Sequence, residues 1–172
     1  MTTPDPEPPA DQHAELPFDP DLSREPTRPQ RESLPMHLSV RALGIVALGG
    51  TVGTATRYYV SELVHPWRSW PLATFLINVT GAFVLGLLLE ELARRGSDRG
   101  RRRRLRLLVG TGFCGAFTTY SALAVDTDLL VRGHHPGLAV GYSLGTLVVG
   151  FAASALGIRL ASRHVRDVQA PA

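Results

Sequence analysis

Residues 107–125 read LLVGTGFCGAFTTYSALAV, nineteen residues without a charge. A helix needs about 20 mostly apolar residues to cross a hydrocarbon core, so this run has the length of a membrane span. Three further apolar runs lie at 39–60, 71–89 and 138–158, and the last two are also uncharged. Helices of this length in a soluble bundle carry a polar face, and the runs at 71–89, 107–125 and 138–158 have none. The pattern therefore predicts an all-α integral membrane protein with four transmembrane helices, rather than a soluble bundle of buried helices.

Working outward, residues 1–37 differ sharply in composition. They hold nine of the thirteen prolines and eight of the fifteen acidic residues. Few large apolar groups are present to offset the entropy of ordering, so a disordered, proline-rich cytoplasmic tail is expected over 1–37. The four-helix domain follows over 38–165, and a short cytoplasmic tail over 166–172. Met1 is not followed by the basic start and apolar core of a signal peptide. The single cysteine, Cys114, excludes an internal disulfide and a zinc cluster of cysteines.

All eighteen basic residues are arginines. The basic balance suits a nucleic-acid partner, but the positions argue against one. The run RRGSDRGRRRRLR at 94–106 abuts a span, where such clusters set topology or touch anionic lipid. With four spans, fifteen arginines fall on the side of the termini and only Arg57, Arg68 and Arg132 on the other. The positive-inside rule then places both termini in the cytoplasm of a multi-pass plasma-membrane protein, whose partner is the lipid bilayer and not a nucleic acid. Trp67 and Trp70, in the connector after the first run, suit a headgroup boundary.

Polar residues inside the runs recur at helical spacing. Gly49 and Gly53 lie four apart, on one face, where small residues let another helix approach. Arg57 sits near the end of its run; it either snorkels to the interface or lines an aqueous vestibule that attracts anions. Thr74 and Asn78 also share a face and both can donate hydrogen bonds. Tyr142 and Thr146 repeat the spacing as a stripe of hydroxyls, beside Gly141 and Gly145, whose spacing offers a small-residue packing seam on the adjacent face. Gly110, Gly112 and Gly115 spell a dinucleotide fingerprint, but no strand precedes them and no βαβ unit surrounds them. Glycines followed by Thr118 and Thr119 suggest instead a helix that breaks within the membrane, whose freed carbonyls a bound cation can satisfy. The other reading is an intact helix with threonines bonded back to their own backbone.

At these residues the sequence resembles the Fluc (CrcB) family of fluoride channels, over about 41–163. GGTVG at 49–53 with Arg57-Tyr58, TFLINVTGAFVLG at 74–86 and GFCGAFTTYS at 112–121 carry the resemblance. It implies a dimer of four-helix subunits packed antiparallel, with two narrow pores and a central structural sodium ion. The sodium would be held by the backbone carbonyls of Gly115 and Thr118. The fluoride pathway would involve Thr74, Asn78, Tyr120, Tyr142 and Thr146, with Arg57 at the vestibule. Two phenylalanines usual in the family, three apart, are here Tyr120 and Leu123, and the family's following glutamate is Asp126.

The resemblance implies passive fluoride efflux that lowers cytoplasmic fluoride toxicity. Fluoride is small and strongly hydrated, and amides, hydroxyls and aromatic edges can replace its water. The arginine bias favours one-way insertion, so the expected partner is a second, oppositely oriented Fluc-type subunit in a heterodimer, with a homodimer as the alternative. The rival functions are a small four-helix multidrug or cation exporter, which needs a membrane-embedded carboxylate that the first run lacks, and a non-conducting membrane scaffold. No enzyme is expected: no nucleophile and base stand at a workable spacing, and the six histidines are scattered.

Overall fold

A computed structural model describes residues 39–169 apart from Arg68, with side chains as far as His164. The expected tail over 1–37 lies outside the described residues. Six helical elements are present: α1 (Val40–Leu63), α2 (Leu72–Arg94), α3 (Arg101–Leu105), α4 (Gly115–Phe117), α5 (Tyr120–Arg132) and α6 (Pro136–Gln169). A π-helical segment, Arg106–Cys114, joins α3 to α4. No strand occurs among the described residues, which removes the context a dinucleotide fingerprint would need.

Three stretches are long and apolar enough to cross a membrane: Leu72–Arg94, Arg101–Arg132 and Pro136–His164. α1 is helical throughout but is not among them. Its glycines, threonines, Arg41 and Arg57 dilute the apolar residues that set hydropathy. The stretch Arg101–Arg132 starts six residues before the uncharged run at 107–125, because arginine is a good helix former even where it is a poor membrane residue.

Close packing is achieved where glycines meet backbone. A Cβ on Gly49 would overlap the Leu108 carbonyl, and one on Gly53 would overlap the Phe113 carbonyl. The expected small-residue face of α1 thus seats it directly on the π-helical segment. On α6, the seam lies elsewhere than Gly141 and Gly145. A Cβ on Gly141 would meet nothing within 4 Å, and one on Gly145 only the Trp70 ring at 4.0 Å. Gly157 instead faces the Phe83 carbonyl of α2, while Gly86 of α2 faces the Ser154 carbonyl. The buried residues of α6, Ala139, Tyr142, Thr146 and Ala161, run along this same side at helical spacing.

A compact apolar cluster forms at the end where α5 turns into α6. Leu123, Leu130, Ala139 and Tyr142 are buried, with Trp70, Phe75 and Leu138 packed against them. Trp70 meets Tyr142 edge-on at 5.7 Å and Phe75 at 6.2 Å, the geometry that aromatic quadrupoles favour. Its backbone pairs with that of Trp67, N–H to carbonyl in both directions at 3.1 and 2.8 Å. Meanwhile Leu144, Leu147, Val148 and Phe151 of α6 are exposed, as on a helix whose outer face meets hydrocarbon or a second subunit.

Candidate functional site

The site is organised by two residues that leave the helix. After α4, Thr118 has φ −75°, ψ 155° and Thr119 has φ −150°, ψ 121°, both extended, before α5 begins. Thr118 closes the preceding turn: its N–H donates to the Cys114 carbonyl at 3.0 Å, and its Oγ1 donates to the same oxygen at 2.8 Å. Thr119 opens the next helix as its N-cap, Oγ1 accepting from the Ala122 N–H at 3.1 Å. A Cβ on Gly81 of α2 would overlap the Thr118 methyl, so the missing side chain makes room for the corner.

Asn78 of α2 completes the corner. Its Oδ1 accepts from the Thr119 N–H at 2.8 Å, and its Nδ2 donates to the Thr119 carbonyl at 3.0 Å. The side-chain amide thereby stands in for a neighbouring peptide. In a continuous α-helix the Thr119 N–H would serve the Gly115 carbonyl, and the Ala122 N–H would serve that of Thr118. Here both donors are turned to side chains. The break leaves the carbonyls of Gly115, Ala116, Phe117 and Thr118 without their i+4 donors; Gly115 and Thr118, the pair that the resemblance assigns to sodium, are two of these four. Two neutral oxygens of an interrupted helix suit a hard monovalent cation, and among the described residues no cluster of histidine, cysteine or carboxylate offers a different metal centre.

Two grooves flank the corner. One, of about 430 Å³, is lined by Asn78, Thr118, Thr119, Tyr120, Leu123 and Thr146, among others. The other, of about 510 Å³, is lined by Thr54, Arg57, Thr74, Thr119, Ser121 and Asp126, among others. Thr119 belongs to both, so the Asn78–Thr119 pair stands at their shared wall. Of the pathway residues expected from the sequence, Asn78, Tyr120 and Thr146 come together in the first groove, while Thr74 and Arg57 come together in the second.

Tyr142 lines neither groove. It is fully buried, and its hydroxyl donates to Asp126 Oδ2 at 3.1 Å. Thr146 Oγ1 donates to the Tyr142 carbonyl at 2.7 Å, so its proton is directed into its own helix. The hydroxyl stripe expected on α6 is thus engaged internally. Tyr120 is 82% exposed, and Leu123, at 8%, belongs to the apolar cluster. The two positions that depart from the family's phenylalanines therefore face different surroundings. Gly115 is exposed, with open space where a Cβ would stand. Arg57 is half-buried, and no carboxylate pairs with it among the described residues.

Sequence reasoning missed Thr119 as the partner of Asn78. The signal was present: a threonine directly before an apolar, helical stretch is an N-cap pattern. The links of Asp126 to Tyr142 and of Thr127 to Ser143, at 2.8 Å, leave no comparable mark, because they join residues sixteen positions apart.

Residues 44–158 match the family described as CrcB-like protein, Camphor Resistance (CrcB). The chain belongs to the CrcB family. A protein named fluoride-specific ion channel FluC 2 from Leifsonia xyli subsp. xyli is 49% identical over 131 residues, covering 76% of this chain and 90% of the relative. One of the same name from Rhodococcus jostii is 42% identical over 118 residues, covering 69% and 96%. Fluoride-specific ion channel FluC 1 of Mycolicibacterium paratuberculosis is 40% identical over 131 residues, covering 75% and 93%. The CrcB match spans α1, α2, the Asn78–Thr119 corner and most of α6, and leaves out the acidic N-terminal stretch. Together with three membrane-length apolar helices, it makes the chain a multi-pass membrane protein.

Proposed function

We propose that this chain is a subunit of a fluoride-specific ion channel that lets fluoride leave the cytoplasm down its gradient and so lowers fluoride toxicity. The observation that carries this reading is the CrcB match along nearly the whole helical region, with relatives named for that activity. The geometry supplies a physical basis. Fluoride holds its water tightly, so a selective path must offer hydrogen-bond donors in a confined place. Asn78 spends one amide hydrogen on Thr119 and retains a second. The amide lies on a groove, locked in orientation by its two bonds to the corner, and such a donor needs no reorganisation when the ion arrives. Arg57, in the neighbouring groove, raises the local anion concentration.

In this reading α1 is a fourth span, closely seated on the π-helical segment, and the third span is the broken one. Two such subunits pack antiparallel, and the carbonyls of Gly115 and Thr118 from both surround a structural sodium ion. The arginine distribution places both termini in the cytoplasm and favours a heterodimer with an oppositely oriented homologue. Fluoride efflux from liposomes, measured with a fluoride electrode, tests the activity. Flux no faster than from protein-free liposomes, with and without a co-expressed homologue, refutes it. Full rescue of a fluoride-sensitive host by this chain alone refutes the heterodimer while leaving the channel intact.

A further inference from the structure

A groove of about 790 Å³ lies at the opposite end of the bundle from the Trp70 cluster, between the start of α1 and the α3–π-helical junction. Its lining has a definite polarity. On α1, Arg41, Ile45 and Leu48 follow one another at helical spacing along one stripe. On the facing wall, Arg103 and Arg104 lead to Leu107 one turn on. Both walls therefore change in the same direction, from arginine at the helix ends to aliphatic side chains further along each helix. Gly100, also at the mouth, has open space around the position a Cβ would take.

The arginines of this groove differ from their neighbours. Arg94, Arg95 and Arg106 are paired with Glu90, Glu91 and Asp98. No carboxylate pairs with Arg41, Arg103 or Arg104 among the described residues. Three arginines without a carboxylate partner among the described residues, beside an apolar wall, match an amphiphile with an anionic head and a hydrocarbon tail.

We infer that this groove is a binding site for an anionic phospholipid, with the phosphate on Arg41, Arg103 and Arg104 and an acyl chain along Ile45, Leu48 and Leu107. Guanidinium groups are suited to phosphate because their forked donors match two of its oxygens. The aliphatic wall selects a lipid over a free anion, since inorganic phosphate leaves it in contact with nothing. Such a site ties the α1 N-terminus to the α3 end of the third span. It stands on this groove alone and does not depend on which ion the chain conducts.

The test uses the full-length protein in detergent, titrated with phosphatidylglycerol and, separately, phosphatidylcholine, and read by native mass spectrometry. One tightly held phosphatidylglycerol per chain is expected, with phosphatidylcholine bound far more weakly. Replacing Arg41, Arg103 and Arg104 by Gln is expected to weaken that lipid on the order of a hundredfold, whereas Arg→Lys at the same positions retains most of the binding. The Arg104→Gln variant alone, at an exposed position with no carboxylate partner among the described residues, is expected to weaken it several-fold and covers the case in which the triple variant does not fold. Parental affinity in Arg104→Gln and in a folded triple variant overturns the inference. Displacement of the lipid by millimolar inorganic phosphate overturns it as well, because the site is then a plain anion site.

Discussion

Replacing Asn78 by Ala removes both bonds that hold the corner, 2.8 Å to the Thr119 N–H and 3.0 Å to its carbonyl. Thr119 is 9% exposed, so neither group gains ready access to water. The Thr119 carbonyl, as that of the N-cap, keeps the first bond of α5; the buried N–H left without a partner costs about 1–3 kcal/mol and the bond lost at the carbonyl about 0.5–1.5 kcal/mol. Against a typical native stability of roughly 5–15 kcal/mol this is a large fraction. Asn78→Asp separates the components: its carboxylate still accepts from the Thr119 N–H but cannot donate to the carbonyl, and it faces that oxygen with like charge. Heated samples passed over a size-exclusion column report the loss of folded protein, and proteoliposome efflux reports conduction. Ala is expected to unfold at a markedly lower temperature. Asp is expected to fall between Ala and the parent in stability while losing fluoride flux almost completely, because a negative charge now stands on the groove. An Ala variant that unfolds at the parental temperature would falsify the claim that Asn78 splices the interrupted helix.

Other changes bear on separate parts of the fold. Thr119→Ala removes the N-cap of α5 and is expected to cost about 0.5–2 kcal/mol, with Thr119→Ser restoring most of it in the same heating assay. Gly53→Ala pushes a methyl into the Phe113 carbonyl; overpacking of this kind costs about 1–3 kcal/mol or more, and a parental elution profile and melting behaviour would count against close seating of α1. Tyr142→Phe removes a hydroxyl bonded to a carboxylate and is expected to destabilise by about 1.5–3 kcal/mol, whereas Tyr120→Phe, at a largely exposed position, is expected to leave stability unchanged. Exchange of sodium for a bulky organic cation during purification is expected to lower thermal stability and flux together; equal melting in the two buffers refutes a structural sodium.

How much of this was legible in the sequence depends on the kind of signal each feature leaves. The uncharged run at 71–89 became α2, five residues longer at its C-terminal end, where Glu90, Glu91, Arg94 and Arg95 pair at i, i+4. Hydropathy stops at the first charge; a helix does not. α1 shows the converse, since its helical character was readable while its apolar content is too low to mark it as a span by composition. The glycine and threonine pattern pointed to a disturbance near 115–118, and the extended residues are Thr118 and Thr119. Which carbonyls lose their partners depends on where two N–H groups turn, and nothing in one strand of sequence records that. The π-helical geometry of Arg106–Cys114 left no trace either, because it widens the helix by changing the hydrogen-bond register and not the residue types. On α6 the spacing of Gly141 and Gly145 suggested a packing seam, yet Gly157 and Gly86 form it. Any small pair at that spacing permits close approach, and only the neighbouring helix decides which one is used.

The corner also gives the proposed pairing of two subunits a physical reason. A break at membrane depth must satisfy its backbone without help from water, at a cost of several kcal/mol per orphaned group. Thr118 N–H returns to Cys114, Thr119 N–H and carbonyl go to Asn78, and Ala122 N–H goes to the Thr119 hydroxyl. Every buried side-chain donor and acceptor among the described residues has a partner. The carbonyls of Gly115, Ala116, Phe117 and Thr118 are what this arrangement leaves over, and Gly115 lies at an exposed position. In the proposed dimer, the two oxygens of Gly115 and Thr118 would be too few for a cation's coordination shell, and a second subunit meeting this surface would bring two more. The apolar residues exposed nearby on α6, Leu147 and Phe151, line the same groove as the corner and need a cover of their own. In the proposed dimer, cation, partner and groove would answer one requirement, the backbone polarity exposed when the helix opens at Thr118 and Thr119.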